Sequence, residues 1–151
     1  MAILDTSVTG SFNEDRDENV FIGLDLPIRK SDGVDGYFAS TSTTLTAVKN
    51  NIRNLLLTNR GERFLQPNLG LSLRRFLFEQ YTSDLQDSIK AEIIDTINFW
   101  LPFVTVTELR VNMEEASDGN INNNKLNIVT TFSIRHAPNI LESVEVDITG
   151  D

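Results

Sequence analysis

Along the middle of the chain, apolar residues recur at the spacing of one helix face. Leu45, Val48, Ile52, Leu55 and Leu56 follow steps of three and four, which predicts an amphipathic helix. Ser42, Thr43 or Thr44 stands where a hydroxyl can accept from a free backbone N–H at its start. Gly61 follows the last turn, where a left-handed residue commonly ends a helix. Residues 62–70 contain Pro67, Asn68 and Gly70 and read as a connection of fixed shape. Leu71 to Glu79 reads as a short helix that buries Leu73, Phe76 and Leu77. Ser83 or Asp84 opens a longer helix striped with Leu85, Ile89, Ile93, Ile97, Trp100 and Leu101. Pro102 ends it, because proline disfavours helical geometry in the residue before it.

Beyond Pro102 the period falls to two. Val104 and Val106, then Leu109, Val111 and Met113, predict a strand with a slip of phase near Thr107-Glu108, as a bulge produces. Glu114 to Asn124 is a polar loop holding the hairpin signal Asp118-Gly119. Leu126, Ile128, Thr130, Phe132 and Ile134 alternate against Asn127, Thr131, Ser133 and Arg135 in a second strand. Pro138-Asn139 turns the chain, and Val144, Val146 and Ile148 mark a last strand over residues 140–149. Helices followed by strands predict an α+β fold, with three helices packed on one face of a small antiparallel sheet.

The first forty residues do not share this patterning. Residues 1–19 are polar and acidic, and read as an arm poorly ordered by itself. Residues 20–27 read as a short extended piece lying on the domain, and Ser31 to Gly36 as a loop. The expected organisation is an extended acidic N-terminal arm, residues 1–40, and an α+β domain, residues 41–151.

Charge and composition narrow the function. With 22 acids against 13 basic residues the net charge is -9, which argues against nucleic acid as the main partner. The charge is uneven: Lys49, Arg53, Arg60, Arg63, Arg74 and Arg75 fall in a stretch whose only acid is Glu62. That stretch is either a set of solvated helix faces or a basic face that docks on an acidic protein. The absence of cysteine excludes disulfides and thiolate chemistry and fits a reducing compartment. The start shows no secretory pattern, and no run approaches the ~18 apolar residues of a membrane span. The expectation is a soluble protein made in a cytoplasm.

Enzyme constellations are scarce. Phosphate-binding glycine loops, zinc-binding histidine pairs and calcium loops are all missing, so no cofactor or metal is expected. Glu62 and Glu79 flank an apolar segment and are the best pair of carboxylates for glycoside hydrolysis, but 22 acids produce many accidental pairs. His136 reads as a surface residue at a strand end.

The unusual element runs from Thr58 to Gly70. It is either an ordinary connection with a surface ion pair, or a packed site in which Phe64 and Leu65 draw Arg63 inward to a carboxylate. In order, it shows Thr58, then Gly61-Glu62-Arg63, then Pro67 and Gly70, and afterwards Leu77-Phe78-Glu79. This order and spacing resemble the small baseplate wedge, or sheath-initiator, family of contractile-tailed phages, which has a relative in type VI secretion systems. The likeness covers about residues 41–149 and continues through the long helix, the hairpin and Phe132-Ser133-Ile134 with Pro138. One departure stands out. The family carries Glu-Pro-Arg where the long helix ends, and this chain has Leu101-Pro102-Phe103.

The resemblance implies a structural subunit of the virion's tail baseplate, without catalytic residues. Its implied partners are the tail sheath protein, other wedge proteins, and tube or hub proteins, with no nucleic acid and no membrane. The residues implied at interfaces are Gly61, Glu62, Arg63, Pro67, Gly70, Phe78, Pro102, Val144, Val146 and Ile148. The last strand, or its neighbour at 125–135, is expected to offer a free edge to the first sheath ring. A lysozyme-like glycosidase carried in the baseplate and a type VI secretion baseplate subunit are the alternatives.

Overall fold

The computed structural model of the chain describes residues 21–31, 37–80, 82–114 and 124–149. The 1–19 arm and nearly all of the Ser31–Gly36 and Glu114–Asn124 loops lie outside the described residues. Two compact units partition the chain, Met1–Asn51 and Ile52–Asp151.

In the first unit, β1 (Gly23–Leu24) pairs antiparallel with β2 (Ser40–Thr41). The Ile22 N–H donates to the Thr41 carbonyl at 2.8 Å, and the Asp25 N–H to that of Ala39 at 2.9 Å. The extended piece expected at 20–27 therefore pairs with residues of its own chain. Arg29 reaches the Asp25 carboxylate at 2.6 Å, and the Asn50 carboxamide donates to it at 3.4 Å. Burial works against ionisation of Asp25, but these hydrogen bonds and the charge of Arg29 outweigh it and hold the carboxyl below its ordinary range. Phe21 and Leu24 stay exposed, while Ile22 and Leu26 are half-buried.

Helix α1 (Thr44–Leu57) runs across the boundary between the units. Thr43 is its cap, with Oγ1 accepting from the Thr46 N–H at 3.4 Å. The predicted stripe is the buried one over Val48, Ile52, Leu55 and Leu56. The helix stops at Leu57, before Gly61. Thr58 closes it, its N–H and its hydroxyl donating to the Asn54 carbonyl at 3.0 and 2.6 Å. Gly61 is not the helix end, although its φ of 87° is left-handed as expected.

The short helix is a 3-10 helix, Leu73–Phe78, with Leu73, Phe76 and Leu77 buried as the pattern required. At six residues it is long for its kind, since 3-10 runs rarely exceed about three or four. Helix α2 (Ser83–Trp100) follows, capped by Thr82, whose side chain accepts from the Leu85 N–H at 3.2 Å. Leu85, Ile89, Ile93 and Ile97 are buried on one face.

Strands β3 (Val104–Glu114), β4 (Lys125–Ile134) and β5 (Ala137–Thr149) form an antiparallel sheet in the order β3-β4-β5. Its register shifts between Val106 and Glu108, at the predicted bulge. The fold is α+β. Gln86 of α2 donates to the Val111 carbonyl of β3, and Asn124 donates to the Leu77 carbonyl of the 3-10 helix at 2.9 Å.

The reversal between β4 and β5 differs from expectation. The chain turns at Arg135-His136, and Ile134 pairs with Ala137. The next pair is Ser133 with Leu141, so Pro138, Asn139 and Ile140 stand off the β4 ladder. Proline lacks the N–H a ladder needs and is accommodated at such an irregularity on an edge strand. The regular pairing then runs from Leu141 to Thr149, close to the predicted 140–149.

The inner face of the sheet buries Val104, Val111, Leu126, Ile128, Phe132, Val144, Val146 and Ile148. One polar group interrupts it. Thr130 is fully buried and its hydroxyl has no hydrogen-bond partner. An unmet hydroxyl in an apolar core is destabilising, so Thr130→Val should raise stability by about 1 kcal/mol. Urea unfolding of the two proteins, at equal m-value, checks this.

Candidate assembly interface

The segment from Thr58 to Leu71 is a loop closed at its neck, where the Leu71 N–H donates to the Thr58 carbonyl at 2.8 Å. A second bond crosses it from the Gly61 N–H to the Pro67 carbonyl, also at 2.8 Å. Three tight turns fill the interior, with N–H donors of Glu62, Gln66 and Leu69 reaching carbonyls of Asn59, Arg63 and Gln66 at 3.0–3.1 Å. Two glycines make this path possible, for different reasons. Gly61 needs its left-handed torsion but faces open space. Gly70 has a φ of 98°, and a Cβ added there would lie 2.1 Å from the Thr58 carbonyl oxygen. The neck can close only over a bare Cα.

Side chains brace the same loop. Glu62 accepts from the Asn59 N–H at 2.9 Å. Arg60 donates to the Gly70 carbonyl at 3.2 Å, and its guanidinium lies 3.9 Å from Glu92, which Arg75 holds at 2.6 Å. Arg63 donates to the Asn54 carboxamide at 3.0 Å.

The expectation of a partly buried Arg63 paired with a carboxylate of this chain or of a neighbour is corrected in its burial and in its partner within the chain. Its side chain is exposed and its partner is neutral. The apolar neighbours that were to draw it inward point outward themselves, Phe64 being 96% and Leu65 87% exposed.

The second feature is the outer edge of β5. Val144, Val146 and Ile148 are buried, so their side chains belong to the core, and the strand's available feature is its backbone. The neighbouring strand cannot serve instead: β4 is central and paired on both sides. On the solvent face of the sheet, Asn127 donates at 2.7 Å to both Glu145 and Asp147, tying β4 to β5. Beside the end of β5, Leu56, Leu57, Asn59, Arg74, Asp147 and Ile148 line a cavity of about 80 Å³.

The family described as baseplate wedge protein gp25 has a sequence model that matches residues 42–139. The chain belongs to this family. The fold of this gp25-family chain is similar to that of a candidate tail lysozyme from Geobacter sulfurreducens, with a TM-score of 0.60 and 21% identity over 72% of this chain and 93% of that one. It is also similar to a chain of the anti-feeding prophage baseplate (TM-score 0.54, 19% identity, 85% of this chain and 84% of that one). A chain of the type VI secretion system baseplate complex gives a TM-score of 0.52 at 14% identity, over 70% of this chain and 92% of that one. No curated protein matches the chain. Family membership makes it a subunit of a contractile-tail baseplate, and a structural one by the character of the family.

The remaining positions singled out in the gp25-family sequence belong to neither the loop nor the edge strand. Phe78 is exposed at the end of the 3-10 helix. Pro102 is exposed in the turn after α2, between half-buried Leu101 and exposed Phe103. That turn is held by the Val104 N–H donating to the Leu101 carbonyl at 2.9 Å. Glu79 and His136 are also exposed. Among the described residues no group of three or more His, Asp or Glu side chains is placed to hold a metal, and no helix is long and apolar enough to cross a membrane. Asn54, Glu92 and Asn127 escaped the sequence reading. Asn54 carried a faint signal, lying four residues before Thr58 on one helix face. Glu92 and Asn127 carried none, because their partners are distant in sequence.

Proposed function

We propose that this subunit joins the wedge and templates the first ring of tail sheath, an extended arm of the first sheath subunit adding as a strand to the outer edge of β5. The observation that carries the reading is the edge position of β5 combined with its unbroken register from Leu141 to Thr149. Strand addition obtains affinity from main-chain hydrogen bonds and selectivity from alternate side chains. Each such bond contributes about 0.5–1.5 kcal/mol net, and repetition around a ring lets that gain nucleate a polymer. Glu145 and Asp147 restrain the same edge from pairing with itself in the free protein. The Leu101-Pro102-Phe103 turn supplies an apolar contact where the family's charged pair would stand.

Cell-wall hydrolysis is the second reading, favoured by the name of the Geobacter structure. The geometry of Glu62 supports it poorly, since its carboxylate is occupied as a brace for the turn at Asn59. The likeness to a type VI secretion baseplate leaves a secretion system as the alternative setting, which neighbouring genes would decide.

Proline tests the edge. Val146 is a poor site because its side chain is in the core. Successive N–H groups of a strand point to opposite sides, so of Glu142→Pro and Ser143→Pro one breaks the β4 ladder and the other removes an outward donor. The outward variant keeps a melting temperature near the parent's. Electron microscopy of particles carrying it is expected to show complete baseplates bearing naked tubes. Sheaths of ordinary yield, with the folded variant incorporated, would place initiation elsewhere.

A further inference from the structure

Phe64 and Leu65, at the tip of the Thr58–Leu71 loop, are almost wholly in water. Single exposed apolar residues are common on protein surfaces. An adjacent aromatic and aliphatic pair on a braced loop is different. The neck bond at Leu71, the cross-bond at Pro67, the Gly70 backbone pressed on Thr58 and the Arg60 strut all fix the tip's direction. The pair is displayed, at little further cost in ordering when it docks.

Charge around the tip identifies the kind of surface it fits. Arg63 leans on a neutral carboxamide, so its charge is not offset, and the Glu62 carboxylate turns back to a backbone N–H. We propose that Phe64 and Leu65 plug an apolar pocket on a neighbouring wedge protein, and that a carboxylate at the rim of that pocket meets Arg63. The inference rests on baseplate membership and is independent of strand addition at β5. A second copy of this chain is the poorer host. The cavity described beside β5, at about 80 Å³, is too small for a phenyl ring and an isobutyl group together.

Crosslinking and binding test this together. With a photoreactive phenylalanine analogue at position 64, assembled baseplates should yield a crosslink to a wedge protein. A crosslink to sheath or to a second copy would overturn the assignment. The Phe64→Ser/Leu65→Ser double variant has no intramolecular packing to lose and should melt with the parent. Its binding to wedges assembled without this chain should fall about a hundredfold. Arg63→Glu should weaken binding about tenfold, an effect that shrinks with added salt. A lower melting temperature of the double variant, or binding equal to the parent's, would sink the proposal. Failure at β5 reads differently: there the protein enters baseplates and sheath is missing, whereas here the protein itself is missing.

Discussion

Gly70→Ala is expected to lower stability by about 3 kcal/mol or more, the largest effect of a methyl added at any described glycine. Two costs combine. A φ of 98° is strained for any residue with a Cβ. The new methyl would also meet the Thr58 carbonyl oxygen, the acceptor of the neck bond from Leu71. Relief requires opening the neck, and with it the Arg60 bond to the Gly70 carbonyl. For a domain of this size the loss is about 6–12 °C in melting temperature. Gly61→Ala is the internal control: the torsion is similar but the space is open, so the loss should be about 1 kcal/mol. Equal melting temperatures for the two variants would refute the closed neck.

Phe132→Ala should cost about 3–5 kcal/mol. Phe132 has no exposed surface, lies on the central strand, and pairs across to Val106 and Glu142. Removing its ring leaves a void that strands paired on both sides cannot readily collapse to fill. Set against a total of about 5–15 kcal/mol, the variant would be near its folding threshold. Thr131→Ser, half-buried on the other face, should stay within about 0.5 kcal/mol. Urea unfolding of both variants checks the assignment, and a mild Phe132→Ala would mean that the inner face is not the core.

The helix stripes, the strand alternation and the bulge at Val106/Glu108 were legible in the sequence because burial imposes a period on each of them. Polar loops impose none. The turn at Arg135-His136 was missed because Pro138-Asn139 carries the stronger turn signal, yet two ordinary residues sufficed once β4 and β5 paired. Gly61 reads as a helix end because only a faint sign, Asn54 four residues before Thr58, marks the earlier closure. Apolar neighbours suggest an inward Arg63, but neighbours of a loop residue set no direction. The site was legible at Gly61 and Gly70 as glycines, but the closeness of Thr58 to Gly70 is a three-dimensional fact. Which strand lies at an edge also awaited the sheet order.

The register jump that lifts Pro138, Asn139 and Ile140 off the ladder gives β5 a measured length. At about 3.3 Å per residue, the run from Leu141 to Thr149 is roughly 30 Å long. Under the proposed strand addition, a guest laid along it would reach at Ile140 the irregularity that breaks the β4 ladder. Guests of different length would therefore all begin from the same mark and overhang at the other end. If the proposed addition holds, repetition by every copy around an axis would let such a ruler set a common height for the next layer.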